Sequence, residues 1–274
     1  MTHSGPALRA LLERAQAQAK RSLGQNFVVD PNTVRRIAAL ADIGPGDHVV
    51  EIGAGLGSLT LALAETGARV TAVEIDEALV AVLSEVVAGL DVEVVHADAR
   101  ALDWTDLTGG GSCILVANLP YNIATPLVLD LLDQVPEITR MLVMVQREAG
   151  ERLAAAPGSA AYGLPSVKVR YWATARVTGR VPASVFHPRP RVESVLVEIR
   201  RRPDGQVAAD ADRLFALARA GFGVRRKMLR RALRGLVDEA GFAAAGIDPA
   251  ARAETLDVDD WARLAAAPAP DPNR

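Results

Sequence analysis

The chain has one cysteine, Cys113, among 274 residues, which excludes an internal disulfide framework and any cysteine-cluster zinc site. Its four histidines stand apart, at 3, 48, 96 and 187, without metal-ligand spacing. No apolar run approaches the about 18 residues that a membrane span requires. The stretch from Ala7 to Ala19 is interrupted by Arg9, Glu13, Arg14, Gln16 and Gln18, so it offers no apolar stretch of the kind a signal peptide uses. Aromatics make up only 4% of the residues, so each one near a candidate site carries weight. The expectation is a cytoplasmic protein without a membrane segment or a metal.

What is present is a core-forming composition, 50% hydrophobic and 23% charged, long enough for one large domain and one small. The net charge of −2 hides segregation. Residues 37–146 hold sixteen acids against three arginines, whereas residues 187–234 hold thirteen basic residues against five acids. An acidic block flanked by basic ones suggests two surfaces with different partners, the plainer alternative being solvated faces.

Leu8, Leu11, Leu12 and Ala15 fall at helical spacing, which predicts a basic amphipathic helix over 7–20, broken by the GQNFVVD segment at 24–30. Pro31-Asn32 opens a second helix. Strand-like runs at 48–52, 69–75, 92–96, 113–117 and 140–145 then alternate with helical stretches at 56–64, 77–88, 125–132 and 148–155. That repeat predicts an α/β fold with a doubly wound parallel sheet. Two β-like runs follow, 166–177 and 192–200. After the turn signal Pro203-Asp204-Gly205 the chain reads helical at 210–221, 224–237, 239–245 and 258–266. The predicted division is a catalytic domain over 1–204 and a small all-helical domain over 205–274, ending in a frayed Pro-rich tail.

Four features lie at the ends of successive predicted strands. Glu51-Ile52-Gly53-Ala54-Gly55-Leu56-Gly57 runs from a strand through glycines into a helix. Glycine suits a sharp turn or a close backbone approach to a ligand, although such a turn also serves helix–sheet packing. Its G-x-G-x-G spacing is not the G-x-G-x-x-G of pyrophosphate binders. Glu74 ends the next strand, 21 residues after Gly53, where a carboxylate can accept from the ribose hydroxyls of an adenosine-bearing cofactor. Asp98 ends the third, placed to meet an adenine amino group. Each acid alone would pass for an N-cap or surface residue. Three strand ends pointing one way favour a ligand, because open α/β sheets bind beyond the carboxyl ends of their strands.

Asn118-Leu119-Pro120-Tyr121 follows the fourth strand. The exocyclic amine of adenine is a poor nucleophile, because its lone pair is delocalised into the ring. Two acceptors gripping its hydrogens favour a pyramidal nitrogen with the lone pair free to attack a methyl donor. The Asn118 side-chain oxygen and the Leu119 carbonyl can supply them, and Pro120 biases Leu119 towards extended geometry. Tyr121 offers a face on which a flipped-out base can stack, worth roughly 1–3 kcal/mol. The alternative is a strand-terminating turn with a core tyrosine.

Together with LGQNF at 23–27, MVQREAGERLAAAPGSAAYG, VFHPRPRVESVL, FGVRRKMLRRAL and ARAETL, these segments closely resemble the small-subunit ribosomal RNA adenine N6,N6-dimethyltransferase family, the kasugamycin-susceptibility methyltransferases, from about residue 18 to 264. Ala54, Ala124 and Met228 depart from the residues usual in that family (Pro, Ser and Thr). The resemblance implies a Rossmann-like class I methyltransferase sheet with a small helical C-terminal domain, and S-adenosyl-L-methionine as cofactor. By the motif matches, Asn26 and Val28 would line the methionine side and Gly53 would approach the cofactor. Glu74 would hold the ribose, Asp98 the adenine, and Asn118 would sit between cofactor and target. The partner implied is small-subunit rRNA in the 30S subunit, dimethylated at two adjacent adenosines of its 3′-terminal hairpin loop. Arg225, Arg226, Lys227, Arg230 and Arg231, read as a basic helix, would neutralise rRNA phosphates, as would Arg189 and Arg191 in a Pro-rich loop. A large-subunit rRNA adenine methyltransferase of the macrolide-resistance type, which shares several of these motifs, and a non-catalytic ribosome-assembly factor are the alternatives. A monomer is expected.

Overall fold

The computed structural model describes residues 2–3, 5–15, 25–202 and 209–268. The chain divides into two compact units, the first made of 1–150 with 176–200 and the second of 151–175 with 201–274. Where one boundary near 204 was expected, the chain passes between the units three times.

The first unit is an α/β sheet. Its strands include β2 (His48–Ile52), β3 (Arg69–Glu74), β4 (Val92–His96), β5 (Cys113–Asn118) and β6 (Ile138–Gln146). With β7 (Ala173–Val181) and β9 (Ser194–Arg201) they form a seven-stranded sheet in the order β4-β3-β2-β5-β6-β9-β7. The pairs from β4 through β6 are parallel, and β9 runs antiparallel to β6. Central strands rich in Val, Ile, Leu and Ala are buried along their length except at an end residue, Arg69 of β3 and Asn118 of β5, as a sheet covered on both faces requires. The order reverses between β2 and β5, which opens a crevice beyond their carboxyl ends.

Helices α2 (Pro31–Ala41), α3 (Ser58–Ala64), α4 (Glu77–Val86), α5 (Trp104–Thr108) and α6 (Ala124–Gln134) connect these strands or precede them. Helix α2 begins where Asp30 accepts from the backbone of Asn32 and Thr33 with Pro31 in the first turn, a capped start legible in the sequence. Its Val34, Ile37 and Ala38 pack with Leu63, Val70, Val116 and Met144. The short β1 (Phe27–Val28) pairs antiparallel with β8 (Phe186–His187). The N-terminal helix α1 covers Gly5–Arg14 and places Leu8 and Leu12 among Leu56, Leu79 and Val82. The part of the predicted 7–20 helix beyond residue 15 lies outside the described residues, as do Leu23, Gly24, the Pro203-Asp204-Gly205 turn and residues 269–274.

Two predicted elements are corrected. Residues 166–172, the start of the β-like run predicted over 166–177, belong to helix α8 (Leu164–Trp172). Alternation of Val167, Val169 and Tyr171 with Lys168, Arg170 and Trp172 mimics a strand. Here Val167 and Tyr171 belong to the core of the second unit and Val169 is buried as well, so burial on more than one side erased the helical period. Pro165 in the first turn, with Ser166 Oγ accepting from Gly163 N, starts the helix.

The predicted helix over 224–237 is a turn followed by α10 (Leu229–Ala232), four residues long. Met228 bridges Arg252, and the N–H groups of Leu229 and Arg230 donate to the carbonyls of Ala251 and Pro249. This pairing with 249–252 holds residues 227–228 out of a helix. The second unit also contains α9 (Ala211–Gly223), α11 (Glu239–Ala245) and α12 (Val258–Ala266), around a core of Tyr162, Tyr171, Leu214, Phe242 and Trp261. Helix α7 (Arg147–Leu153) follows β6 and runs across the border of the two units. No helix of the described residues is long and apolar enough to cross a membrane.

Candidate active site

The crevice at the β2/β5 reversal gathers most of the predicted residues. Gly53 leaves β2 with φ +74°, its N–H continuing the ladder to Val73 O at 2.8 Å. Gly55 and Gly57 also have positive φ, which disfavours any residue with a Cβ. The glycines differ in what surrounds them. A Cβ on Gly57 would lie 2.9 Å from Leu83 of α4, so that position serves helix packing. A Cβ on Gly55 would meet the Phe27 ring at 3.0 Å, which keeps the cleft wall thin. At Gly53 there is room, and its nearest neighbours would be the Asn118 carbonyl and Pro120. The first and fourth sequence features therefore meet across the switch point.

One cavity is lined by Asn26, Val28, Gly53, Glu74, Asn118 and Tyr121 together with residues of the glycine turn. A second is lined by Asp98, Arg100, Asn122 and Ile123. Gly53, Ile75 and Pro120 belong to both, so the two cavities adjoin. An elongated ligand with one end by Asn26 and the other by Asp98 suits this pair of spaces.

Glu74 is buried and its carboxylate is held by backbone: Oε2 accepts from Gly55 N at 2.8 Å, and Oε1 from Ile75 N at 3.0 Å and Asp76 N at 2.9 Å. Burial nevertheless raises its pKa above the ordinary carboxylate value, against the pull of these three donors. A carboxylate offers about four lone-pair positions, so in this arrangement one remains open, on Oε2. Asp98 is its opposite. It lies near the surface, its oxygens taken by Arg100 through Nη2 at 2.7 Å, Nε at 3.2 Å and the backbone N–H at 3.0 Å. The Arg100 side chain holds its pKa below the usual carboxylate range.

At the end of β5, Asn118 Nδ2 donates to Asn26 O at 2.9 Å, joining two predicted residues 92 positions apart. With the amide nitrogen committed there, Oδ1 is the acceptor that the side chain brings to the cavity. Leu119 is pinned by its N–H to Met144 O. The Pro120 carbonyl accepts from Ile123 and Ala124, which starts α6. The Tyr121 hydroxyl shares a 2.7 Å hydrogen bond with Ser194 Oγ, leaving a half-buried ring on the cavity wall. Burial raises the Tyr121 pKa. Val28 lines the same cavity while its side chain belongs to the core with Val34 and Phe186.

Sequence reasoning assigned no role to Glu51, Ile75, Arg100 or Ser194. Glu51 is buried in β2 beside the cavity, accepts from Thr60 Oγ1 at 2.6 Å, and has its pKa pushed up to about 8 by desolvation. A carboxylate between the apolar Val49, Val50 and Ile52 is the signal available in the sequence. Ile75 is large, apolar and 44% exposed between the two cavities, a contrast that only structure reveals.

The basic residues of 225–231 belong to the second unit, whereas Arg189 and Arg191 are exposed residues of the first. Arg225, Arg226 and Lys227 sit on the turn before α10, and only Arg230 and Arg231 are helical, which corrects the single basic helix. Arg225 is tied to Glu254 Oε2 at 2.8 Å and to the Ala160 carbonyl at 3.0 Å. Arg226, Lys227, Arg230 and Arg231 are exposed and make no ion pair among the described residues. Val224, Met228 and Leu236 are exposed between and around them.

Residues 16–268 match the family described as ribosomal RNA adenine dimethylase. The chain belongs to that family. Among its relatives, the ribosomal RNA small subunit methyltransferase A of Kineococcus radiotolerans is 50% identical, the alignment covering 94% of this chain and 89% of the relative. The protein of that name from Corynebacterium efficiens is 48% identical over 95% of each. Among solved structures, this dimethylase is similar to a dimethyladenosine transferase from Plasmodium falciparum (TM-score 0.72, 23% identity, 86% of this chain and 94% of the other). It is also similar to the 23S rRNA methyltransferase ErmE (TM-score 0.69, 25% identity, 88% and 98%). The resemblance read from the motifs therefore holds along nearly the whole chain, and the α/β fold with a helical C-terminal part is that of an rRNA dimethylase.

Proposed function

We propose that this dimethylase transfers methyl groups from S-adenosylmethionine to N6 of two adjacent adenosines in the 3′-terminal hairpin loop of small-subunit rRNA, giving N6,N6-dimethyladenosines during 30S biogenesis. The observation that carries the reading is the Asn118–Asn26 hydrogen bond, which fixes an acceptor at the strand end beside Gly53, on a cavity that the buried, backbone-held Glu74 also lines. The relatives' small-subunit name, at near 50% identity, supports small-subunit rRNA over the large-subunit alternative.

The donor set fits the cofactor. Glu74 has an acceptor position left for the ribose, Ile75 offers an apolar wall, and Asp98 keeps lone-pair capacity for an adenine amino group beside Arg100. Asn26, Val28 and Gly53 line the methionine end. When bound, the cofactor supplies a sulfonium methyl that is already a good electrophile, so its carbon–sulfur bond can break with the electron pair leaving on sulfur. The protein's part is to present the nucleophile. Asn118 Oδ1 and the Leu119 carbonyl accept from the adenine amino hydrogens and favour a lone pair facing the methyl. Tyr121 supports the base by stacking, and the displaced N–H proton leaves to water. Positioning of this kind recovers roughly 7–11 kcal/mol of barrier. Arg226, Lys227, Arg230 and Arg231 provide phosphate contacts, with Arg225 as their structural support.

The test is methyl transfer from labelled S-adenosylmethionine to small subunits lacking adenine dimethylation, with large subunits as control and modified nucleosides mapped. Two adjacent dimethyladenosines near the 3′ end of the small-subunit RNA are expected. Label in the large subunit would contradict the substrate, and tight subunit binding without label would make the protein an assembly factor.

A further inference from the structure

Tyr121 is held at both ends. Its backbone follows Pro120, whose carbonyl accepts from Ile123 and Ala124 at the start of α6. Its hydroxyl meets Ser194 Oγ at 2.7 Å, across 73 residues of sequence. Ser194 is fully buried and is the first residue of β9, in register with Gln146 of β6. That strand start is itself fixed. Arg147 N donates to Glu193 O at 3.0 Å, and Gly150 of α7 lies so close to β9 that a Cβ there would be 2.3 Å from Val195 and 3.0 Å from Val197. A hydroxyl on a strand start fixed in this way therefore ties the outer end of a side chain that lines the cavity.

We propose that Ser194 is a positioning residue for the target adenine, acting through Tyr121. This rests on the proposed function, in which Tyr121 carries the base. Without the tie, χ1 and χ2 of Tyr121 regain freedom, and the base is no longer held at the angle that aims its amine. Dimethylation makes the demand twice, because the monomethylated nitrogen must be presented again with a bulkier substituent. The Ser194 tie thus governs completion of the second transfer as well as the rate of the first.

The experiment measures kcat, KM for under-methylated small subunits, and the ratio of mono- to dimethyladenosine at matched turnover, for Ser194→Ala, Ser194→Thr, Tyr121→Phe and the double variant Ser194→Ala/Tyr121→Phe. Thermal unfolding gives the folded fraction of each. Ser194→Ala is expected to lower kcat about tenfold or more, as small misplacements of reacting groups do, with KM unchanged and a larger monomethyl share. Ser194→Thr, which keeps a hydroxyl, should recover both. The double variant should be no worse than the poorer single one, since both remove the same hydrogen bond. Normal kcat and an unchanged product ratio in Ser194→Ala would overturn the proposal. So would a loss of rate that merely follows the folded fraction while the ratio stays constant. If the unsubstituted enzyme itself leaves the subunits unmethylated, the proposed function fails and this assignment fails with it.

Discussion

The carboxyl groups at the β2/β5 crevice and the basic groups on the 224–231 turn are handled in opposite ways. In the crevice Glu51 and Glu74 are buried and held by short hydrogen bonds from Thr60 and from three backbone N–H groups. On the turn and the start of α10, Arg226, Lys227, Arg230 and Arg231 are exposed and make no ion pair among the described residues. Fixed, desolvated acceptors discriminate between ligands, because a wrong partner leaves a buried polar atom unsatisfied. Exposed, uncommitted cations gain affinity for any phosphate backbone through counterion release, without reading sequence. Under the proposed function, selectivity for cofactor and base falls to the crevice of the first unit, and the 224–231 turn of the second contributes affinity for the RNA.

The largest effect expected within this contrast is from Asn118→Ala, which removes the acceptor for the amine. Methyl transfer should fall about a hundredfold or more, while subunit affinity measured by filter binding stays near that of the parent. Equal losses of rate and affinity would break the contrast. Next is Arg226→Glu/Arg230→Glu. Its binding should weaken strongly, and the slope of log K against log salt should flatten by about two if each arginine contacts one phosphate. An unchanged slope would remove this turn from the RNA interface.

A smaller effect attends Gly55→Ala. With φ at +60° and Phe27 in the way, the cost is roughly 1–3 kcal/mol of stability, read as a lower thermal midpoint that bound S-adenosylhomocysteine only partly restores. Smallest is the effect of Glu51→Gln on pH dependence. Burial raises the folded-state pKa of Glu51 to about 8, against an ordinary 4.5. The folded protein thus keeps a proton that the unfolded chain has released, so stability is greatest below the ordinary value and declines as pH rises through about 8. Glu51→Gln should flatten the fall of thermal midpoint across that window, leaving a residual slope of the same sign from Glu74, whose pKa is also raised. A parallel fall in both proteins would show that Glu51 is not buried in its neutral form.

Much of the crevice was legible because its chemistry is local. Glycines before a helix, an acid closing each of two neighbouring strands, and Asn118-Leu119-Pro120-Tyr121 each carry their meaning within a few residues, and parallel β-α-β connection brings them to one edge. What sequence hid depends on distant partners. The 2.7 Å contact of Tyr121 with Ser194 and the exposure of Ile75 between two cavities follow from sheet order alone. Residues 166–172 misled because a helix buried on several sides shows no single apolar stripe. Residues 224–228 misled because Met228, Leu229 and Arg230 give their backbone bonds to 249–252, and a partner so far along the chain outweighs local helix propensity. Arg225 differs from its basic neighbours through Glu254, 29 residues further along the chain, which no local pattern reveals.

The most direct test of the division between the two regions is a crossed measurement on one pair of variants, Glu74→Ala and Arg226→Glu/Arg230→Glu. S-adenosylhomocysteine binding is read by calorimetry, and binding to under-methylated small subunits by filter retention. The account predicts that the first variant loses cofactor binding and keeps the subunit, and that the second keeps the cofactor and loses the subunit. Loss of both ligands by either variant, with the protein still folded, would contradict it.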